Sequence, residues 1–561
     1  MAEKPNSPII PNLRDRWQEL DNEWQSWRDG YAQLSNYLLP FSGRYTETDR
    51  NRGQRRYGSI YDSTATRALM TLGAGLMSGM SSPARPWFRL GTGDPALNNH
   101  HTVKLWLHDV QQRMLDLMQR NNTYQFLHSA YLELGLYGTA ATFLDDDFEN
   151  VLYGYPLTNG EYRISANYRG DVDTLARKFQ KTVAQVVKEF GYEACSQSTK
   201  NLYDNGTLDA WVTIYHLVEP RTDRDINSKS AKDMPFASWY WEESNKSDTS
   251  FLRESGYMEF PALCPRWQVF GSDIYGNSPG MVALGDVKQL QHEQLRKAEV
   301  IDYQTKPPIQ VPSGMKNRDV NMLPGGVTFY DGAPNQRIEP MWNVNLNLQY
   351  LREDIMDVRQ RINQCFFVDL FLMLSQTDTT QMTATEVAER HEEKLLMLGP
   401  TLERLHDEAL NPLVERTFNR MMTAGLLPPP PQELQGQELN IEFISILAQA
   451  QRAVGVNSTN RFLTTIGGVA QLLPGVMDKI NGDALVDSVG DQLGVDPRII
   501  RGQEEVDAMR EQQAKAAQAQ QAAALAEQAA GAAKDLGSID TSKDNALSDL
   551  MNQFAGYSIP A

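Results

Sequence analysis

Apolar residues return every three or four positions through the first part of the chain. From residue 12 to 39 the stripe is Leu13, Trp17, Leu20, Trp24, Trp27, Tyr31, Leu34 and Leu38, with charges between. That period is one face of an amphipathic helix and assigns the tryptophans to a core rather than to a ligand box. A second helix is expected from about Ser63 to Met80, capped by Asp62 or Ser63, and two more at roughly 102 to 120 and 123 to 136. From Gly138 to Phe270 the pattern shortens to β-type runs: "TAATFLDD", "EYRISANY", "WVTIYHLVEP", "ASWYWEE" and "PALCPRWQVFG". They are rich in aromatic and β-branched residues and are separated by turn signals. Between two of them a helical pair is expected, "VDTLARKFQ" and "TVAQVVKEFG", the second ended by Gly191. The fold class is α+β, predominantly helical.

Beyond residue 275 the helical period lengthens. One helix is expected from about Asp286 to Gln304, stopped by Pro307 and Pro308, and a Pro/Gly-punctuated insert follows to about residue 340. Leu348, Leu351, Ile355, Val358 and Ile362 then repeat at three and four in a helix expected from about Val344 to Leu374, roughly 45 Å at 1.5 Å per residue. An isolated helix this apolar on one side needs burial, which suggests a subunit interface. After it comes a wholly polar stretch, Ser375, Gln376, Thr377, Asp378, Thr379, Thr380 and Gln381, and then a capping box of Thr383 and Glu386. That helix meets Pro400, restarts, and ends at Gly425 before the prolines at 428 to 431. An Ala/Gln-rich run from about residue 511 has high helix propensity but little apolar variety, and composition alone does not say whether it joins an assembly or frays.

Charge and composition narrow the chemistry. With 53 Lys and Arg against 71 Asp and Glu, the formal charge is -18, which works against broad, tight binding of nucleic acid. Cys195, Cys264 and Cys365 lie far apart without a CxxC pair, as expected of reduced packing thiols. The start "MAEKPNSPII" lacks the apolar core of a signal peptide, and the most apolar run, Phe366 to Leu374, falls far short of the roughly 20 residues of a membrane span. A soluble protein without membrane contacts is expected.

Motifs for reaction chemistry are sparse. "GAGLMSG", Gly73 to Gly79, misses dinucleotide-binding spacing by one residue and lies inside a helix, so close helix packing is the better reading. No phosphate-cradling G-x-x-x-x-G-K-[ST] loop is present, and neither G-x-S-x-G nor HExxH occurs. Asp145, Asp146 and Asp147 are consecutive, which points them different ways and suits a hairpin tip better than a metal cluster. The basic segment with Arg50, Arg52, Arg55 and Arg56 could touch phosphate, but on an acidic protein it suits a neighbour's carboxylates better. In "SGMSSPARPWFRL", Trp87 and Phe88 are expected to anchor a strand to the preceding Gly-rich helix.

Several segments, in order, resemble one family. "YDSTATRALMTLGAGLMSGMSSPARPWFRL", "YGNSPGMVALGDVKQLQ", "KPPIQVP", "QMTATEVAERHEEKLLMLGPTLERLHDEALNPL" and "LGVDPRIIR" resemble the head-to-tail connector (portal) proteins of short-tailed bacteriophages, over about residues 10 to 520. The resemblance implies a non-enzymatic ring of about twelve copies at one capsid vertex, through which double-stranded DNA is packaged and ejected. It implies a wing over 1–275, a first stem helix over 276–306, a clip over 307–342 and a second stem helix over 343–374. A channel loop over 375–382, wing and crown helices over 383–432, a crown over 433–504, a helical barrel or tail over 505–535 and a flexible C-terminus over 536–561 would follow. The clip, with Lys306, Lys316, Arg318 and Arg337 around an apolar tip, would dock a terminase packaging motor and later a tail adaptor. Major capsid and scaffolding proteins, and internal core or ejection proteins, are the other partners implied, and no cofactor is. The competing reading is a metal-dependent nuclease using Asp145, Asp147 and Glu149, and a third is a monomeric adaptor.

Overall fold

The tryptophan stripe forms α1 (Leu13–Leu38), with Leu13, Leu20, Trp24, Tyr31, Leu34 and Leu38 buried along one side. The structure, a computed structural model, describes residues 13–45, 57–98, 100–228, 230–244, 251–306, 308–311, 339–340, 348–376, 398–434, 436, 439–445, 447, 482 and 503–537. After α1 come α2 (Thr64–Met80), β1 (Phe88–Thr92), α3 (Pro95–Asn98), α4 (His101–Arg120) and α5 (Thr123–Tyr137). Strands β2 (Ala141–Asp147), β3 (Val151–Leu157), β4 (Tyr162–Ala166) and β5 (Val172–Thr182) lead into α6 (Val183–Phe190) and α7 (Gln197–Asp204). Then follow β6 (Trp211–Pro220), β7 (Phe236–Glu242), β8 (Arg253–Tyr257) and β9 (Ala262–Leu263). The remainder comprises α8 (Pro279–Thr305), β10 (Ile309–Gln310), β11 (Glu339–Pro340), α9 (Leu348–Cys365), α10 (Val368–Gln376), α11 (Asn411–Thr423), β12 (Leu439–Phe443) and α12 (Gln503–Gly537). Two units divide the chain, one of residues 1–93, 107–430 and 435–476, the other of 94–106, 431–434 and 477–561.

In the larger unit, β4 to β8 make one antiparallel sheet in sequence order, and β3, β2 and β9 make a second. The five-stranded sheet is covered on both faces. Leu217, Ala237, Trp239 and Trp241 pack under Leu13 and Leu20 of α1, while Val212, Ile214 and Tyr240 pack under Val183 and Val186 of α6. Residue parity along β6 and β7 therefore decides which helix each side chain meets. α6 starts on a full capping box, with Thr182 and Gln185 each bonding the other's backbone, and stops at Gly191 as expected.

The first member of the expected helical pair is corrected: "VDTLARKFQ" is β5, not a helix. Its Leu, Ala, Arg, Lys and Gln favour helix, but β4 and β6 offer ladders on both sides, and Leu175 and Ala176 are buried where those ladders run. In the same sheet Arg177 Nε donates to His216 Nδ1 at 2.9 Å, and His216 Nε2 lies 2.9 Å from Ser238 Oγ. With Nδ1 accepting, the ring proton sits on Nε2 and points to the serine. Burial, and then the charges of Arg177 and Arg253, hold this imidazole well below its ordinary pKa, so it stays neutral.

The acidic run is a hairpin tip, as its spacing suggests. Asp147 closes the turn between β2 and β3 by accepting from Asn150 and from the Glu149 backbone, while Asp146 reaches the other way to Arg420 at 2.8 Å. Trp87 and Phe88 are buried at the start of β1, which pairs with β12, and Trp87 stacks on Phe443 with ring centroids 6.2 Å apart. The stretch after α2 is thus a helix-to-strand corner.

A buried ion pair ties the sheets to the later helices. Arg266 places Nη2 2.7 Å from Glu408 Oε1 and Nε 3.3 Å from Oε2, and its backbone N–H donates to the same carboxylate at 2.8 Å. Its remaining guanidinium donors reach the carbonyls of Gly170 and Ile274. Glu408 lies in one wide helical turn, His406–Leu410, closed by an i to i+5 bond from Asn411 N–H to His406 O. Pro412, with no N–H to give, follows immediately, and such a turn is how a helix accommodates the missing donor. The smaller unit contains α3, the start of α4 and α12, the last being the Ala/Gln-rich run, helical over 35 residues.

Candidate functional site

α8 begins earlier than its periodicity suggests. Ser278 caps it by accepting from Met281 N–H at 3.0 Å, and Pro279 occupies the first turn, where its missing N–H costs nothing. At 27 residues α8 is about 40 Å long at 1.5 Å per residue. α9 runs antiparallel beside it: Asp286 meets Arg361 at 3.6 Å, and further along α8 Gln294 reaches the same Asp62 carboxylate oxygen as Arg359, which lies before Arg361 on α9. At the far end Ile309–Gln310 pairs antiparallel with Glu339–Pro340. The two ends of the intervening insert therefore emerge side by side.

The apolar stripe expected at a subunit interface is corrected in part. Ile355 is 3 % exposed, and Val358 and Ile362 are fully buried, within this one chain and against α8 and α2. Their burial is supplied internally. Leu351 is only half-buried, and the side chain of Leu348 lies outside the described residues. What the paired helices leave uncovered is different: Ile301, Tyr303, Tyr350 and Met356 are exposed, as is every residue from Ile301 to Lys306. Arg296, Lys297 and Arg352 form no ion pair among the described residues. The two helices together carry seven acidic and six basic residues, so this pair is close to neutral within an acidic chain.

The continuous helix expected from 344 to 374 is also corrected, since it breaks at Phe366 and Phe367, the latter with φ of 54°. An unbroken helix would carry the stripe of Ile355, Val358 and Ile362 on to Asp369. The break re-phases the chain, leaving Asp369 exposed and burying Val368, Leu370 and Phe371. α10 then docks on α2 at Gly75, where a Cβ would lie 2.2 Å from Phe371 Cγ and Cδ1. Gly73 and Gly79 similarly make room for Leu132 and Leu447. The Gly-rich run is a packing surface, and it seats the helix whose last residues are Ser375 and Gln376.

One node unites the start of α2 with both long helices, and periodicity gave no hint of it beyond a cap. Asp62 Oδ1 accepts from Thr64 N–H at 2.9 Å, while Oδ2 accepts from Arg359 Nη2 at 2.7 Å and from Gln294 Nε2 at 2.9 Å. Gln291 bridges the same turn, accepting from the backbone of Tyr61 and Asp62 and donating to Asp62 O. Burial alone would raise the Asp62 pKa, but the bonds from Thr64 and Arg359 outweigh it and hold the carboxyl below its usual range. Its contribution to stability is therefore present above the usual carboxylate range and is lost as pH falls through the depressed value.

Of the other residues singled out, Lys306 is the exposed residue that ends α8, its N–H donating to Asp302 O at 2.7 Å. Lys316, Arg318, Arg337, Thr377, Asp378, Thr379, Thr380, Gln381, the capping box at Thr383 and the arginines from Arg50 to Arg56 lie outside the described residues. Among the described residues no group of three His, Cys, Asp or Glu could hold a metal ion, and no helix is long and apolar enough to cross a membrane.

These features define a structural class: two long paired helices that carry an insert at one end, with a third helix docked on a glycine face. A family model described as "Bacteriophage head to tail connecting protein" matches residues 11–500. The chain belongs to that family, and is a structural, non-enzymatic phage portal, or head-tail connector, protein. It is 52 % identical over 558 residues, covering 99 % of this chain and all of the relative, to the "Probable portal protein" of Bordetella phage BPP-1. It is 44 % identical over 554 residues to the "Portal protein" of Salmonella phage epsilon15, covering 98 % and 99 %. Among solved structures it aligns with a chain of the "Virion of native gene transfer agent (GTA) particle" at 11 % identity and a TM-score of 0.29, over 75 % of this chain and 99 % of that one. A chain from the "Neck of empty GTA particle computed with C6 symmetry" gives 12 % identity and a TM-score of 0.30, over 74 % and 96 %. Family membership rests on the sequence match.

Proposed function

We propose that copies of this chain, about twelve, close into a ring at one vertex of the capsid and form the conduit for packaging and ejecting double-stranded DNA. α8 and α9 are the stem, residues 307–342 the clip, 1–275 the wing, and 375–381 the loop that lines the narrowest passage. The observation that carries this reading is the family match over residues 11–500. The exposed distal stem supports it, since Ile301, Tyr303, Tyr350 and Met356 are surfaces that neighbouring stems would cover. Near-neutral stem charge in an acidic chain suits a passage that must not hold phosphate tightly.

The clip, through Lys306, Lys316, Arg318 and Arg337, docks first the terminase motor and then a tail adaptor, which compete for it. Capsid and scaffolding proteins meet the ring from outside, and core or ejection proteins meet it from within. Deleting residues 312–326 is expected to leave rings visible by negative-stain microscopy while abolishing motor and tail attachment; infectious particles from the deletion would overturn the clip assignment. Replacing Thr379→Lys and Thr380→Lys together is expected to lower packaged DNA severalfold, because two added cations per copy create binding minima along the duplex. Full genome content and normal ejection in that variant would remove residues 375–381 from the passage.

A further inference from the structure

Three oxygens from three segments close a triangle beside the end of α1. Glu133, on α5, is only partly exposed, and its Oε1 accepts from Ser42 Oγ and from Thr158 Oγ1, the latter at 2.7 Å. The third side runs from Ser42 Oγ to Thr158 Oγ1 at 3.2 Å. Ser42 lies in the loop after α1, and Thr158 opens the turn from β3 to β4. The other carboxylate oxygen, Oε2, accepts from Asn159 N–H at 3.1 Å. Loop and turn also touch through their backbones: Arg44 N–H donates to Asn159 O at 2.7 Å, and a Cβ on Gly160 would lie 1.7 Å from Arg44 O. Ser35 Oγ donates to Ser42 O at 2.6 Å, which ties the loop back to α1.

A triangle of oxygens needs one proton for each side. Ser42 and Thr158 supply one apiece, and an ionised Glu133 supplies none, so one side is left with lone pair facing lone pair. A neutral Glu133 supplies the third: its Oε1–H donates to Ser42, Ser42 to Thr158, and Thr158 back to Oε1. The hydroxyl lone pairs that remain accept from Tyr137 O–H, at Ser42, and from Gly43 N–H, at Thr158. Nothing nearby offsets the ionised form, because Glu133 makes no ion pair among the described residues. Arg44 of the loop turns to Glu161 at 3.9 Å and to Gly43 O, and Arg28 of α1 turns to Tyr45 O. Glu161 accepts from Thr158 N–H and brings a second negative charge to the turn. The phenols of Tyr31, Tyr45, Tyr137 and Tyr162 also face the triangle, and burial holds them above their ordinary range and neutral. α2, α8 and β3 meet α5 through uncharged residues, Leu72 at Gly135, Ser278 at Leu136 O and Gly154 at Phe126, and the carboxylates of β2 lie at its far end.

We propose that Glu133 carries the proton that closes this ring of hydrogen bonds, and that its loss as pH rises loosens the clasp joining the end of α1, α5 and the β3–β4 turn. Burial first pushes the Glu133 carboxyl up to about 7, in spite of the bonds from Ser42, Thr158 and Asn159, and Glu161 adds to the rise. The sign follows: the folded chain holds this proton more tightly than the unfolded chain does. The stabilisation is complete below the ordinary carboxylate range and is lost as pH rises through about 7. The loosening is local, because α1 stays packed on the five-stranded sheet through Leu13 and Leu20, at its other end.

Hydrogen exchange read by mass spectrometry on the full-length protein, corrected for intrinsic rates, tests the proposal over residues 39–45 and 158–161. Between about pH 6 and about pH 8 their protection is expected to fall about tenfold, most of it below about pH 7, as the carboxyl returns to its ordinary value on opening. β6, in the middle of its sheet, should not share the fall. Glu133→Gln places a permanent donor in the triangle and leaves an acceptor for Asn159 N–H, so protection should stay constant across this range. Glu161→Gln removes the neighbouring charge and should keep most of the fall. A profile independent of pH in the unmodified chain overturns the proposal, as does an equal fall in β6, a full fall in Glu133→Gln or its disappearance in Glu161→Gln. Should Glu133→Gln fail to fold, the unmodified chain and Glu161→Gln still decide.

Discussion

Gly75→Ala is expected to destabilise the protein by about 3 kcal/mol, at the upper end for overpacking a close-fitted core. The added methyl would lie 2.2 Å from two ring atoms of Phe371, which is 1 % exposed. Alanine gains only about 1 kcal/mol over glycine in helix propensity, so the clash dominates. The check is a urea titration followed at the first unfolding transition, with Phe371→Ala as the second arm. Phe371→Ala alone should cost about 3 to 5 kcal/mol for the cavity it leaves. In the double variant the methyl enters that cavity, and a coupling energy of about 2 kcal/mol is expected. Strict additivity would show that α10 is not seated on α2 through this contact.

Arg266→Met is expected to cost about 3 to 5 kcal/mol, because it leaves Glu408 largely buried and short of its main partner. Arg404 remains at 2.9 Å from Glu408 Oε1, but it is one turn away on the same helix and one-third exposed, so it is screened and replaces little. Glu408→Gln, which keeps the shape but not the charge, should cost less. Removing both charges with Arg266→Met and Glu408→Met should recover part of the loss, as expected for a buried pair whose desolvation offsets its attraction. The measurement is the unfolding midpoint of each variant; a loss under about 1 kcal/mol for Arg266→Met would place the pair among ordinary surface contacts.

How far the sequence reveals this architecture depends on the distance over which each feature is decided. α1, α2, α4 and α5 follow from apolar spacing within one element, and α6 from spacing plus a local cap. Family membership follows from ordered motifs along most of the chain. β5 was not legible because its residues prefer helix and the decision belongs to β4 and β6, the latter some 35 residues away. The start of α8 carried a readable signal in Ser278 and Pro279, hidden by Gly280 and Gly285, which blunt the helical period. The glycines of α2 announced close packing but not Phe371, which is remote in sequence. The break at Phe367 could have been suspected from Asp369 falling on the apolar stripe. The meeting of Gln294 and Arg359 at Asp62 depends on the register of two helices across a long insert, which no local pattern encodes.

The strand pair at the base of that insert has a consequence for how such chains diversify. Because Ile309–Gln310 and Glu339–Pro340 run side by side, everything between them leaves and returns at one gate. Lengthening, shortening or replacing the excursion leaves the spacing of α8 and α9 untouched. If the excursion is the docking clip proposed above, a virus could exchange it for another lineage's by recombination while inheriting the paired helices intact.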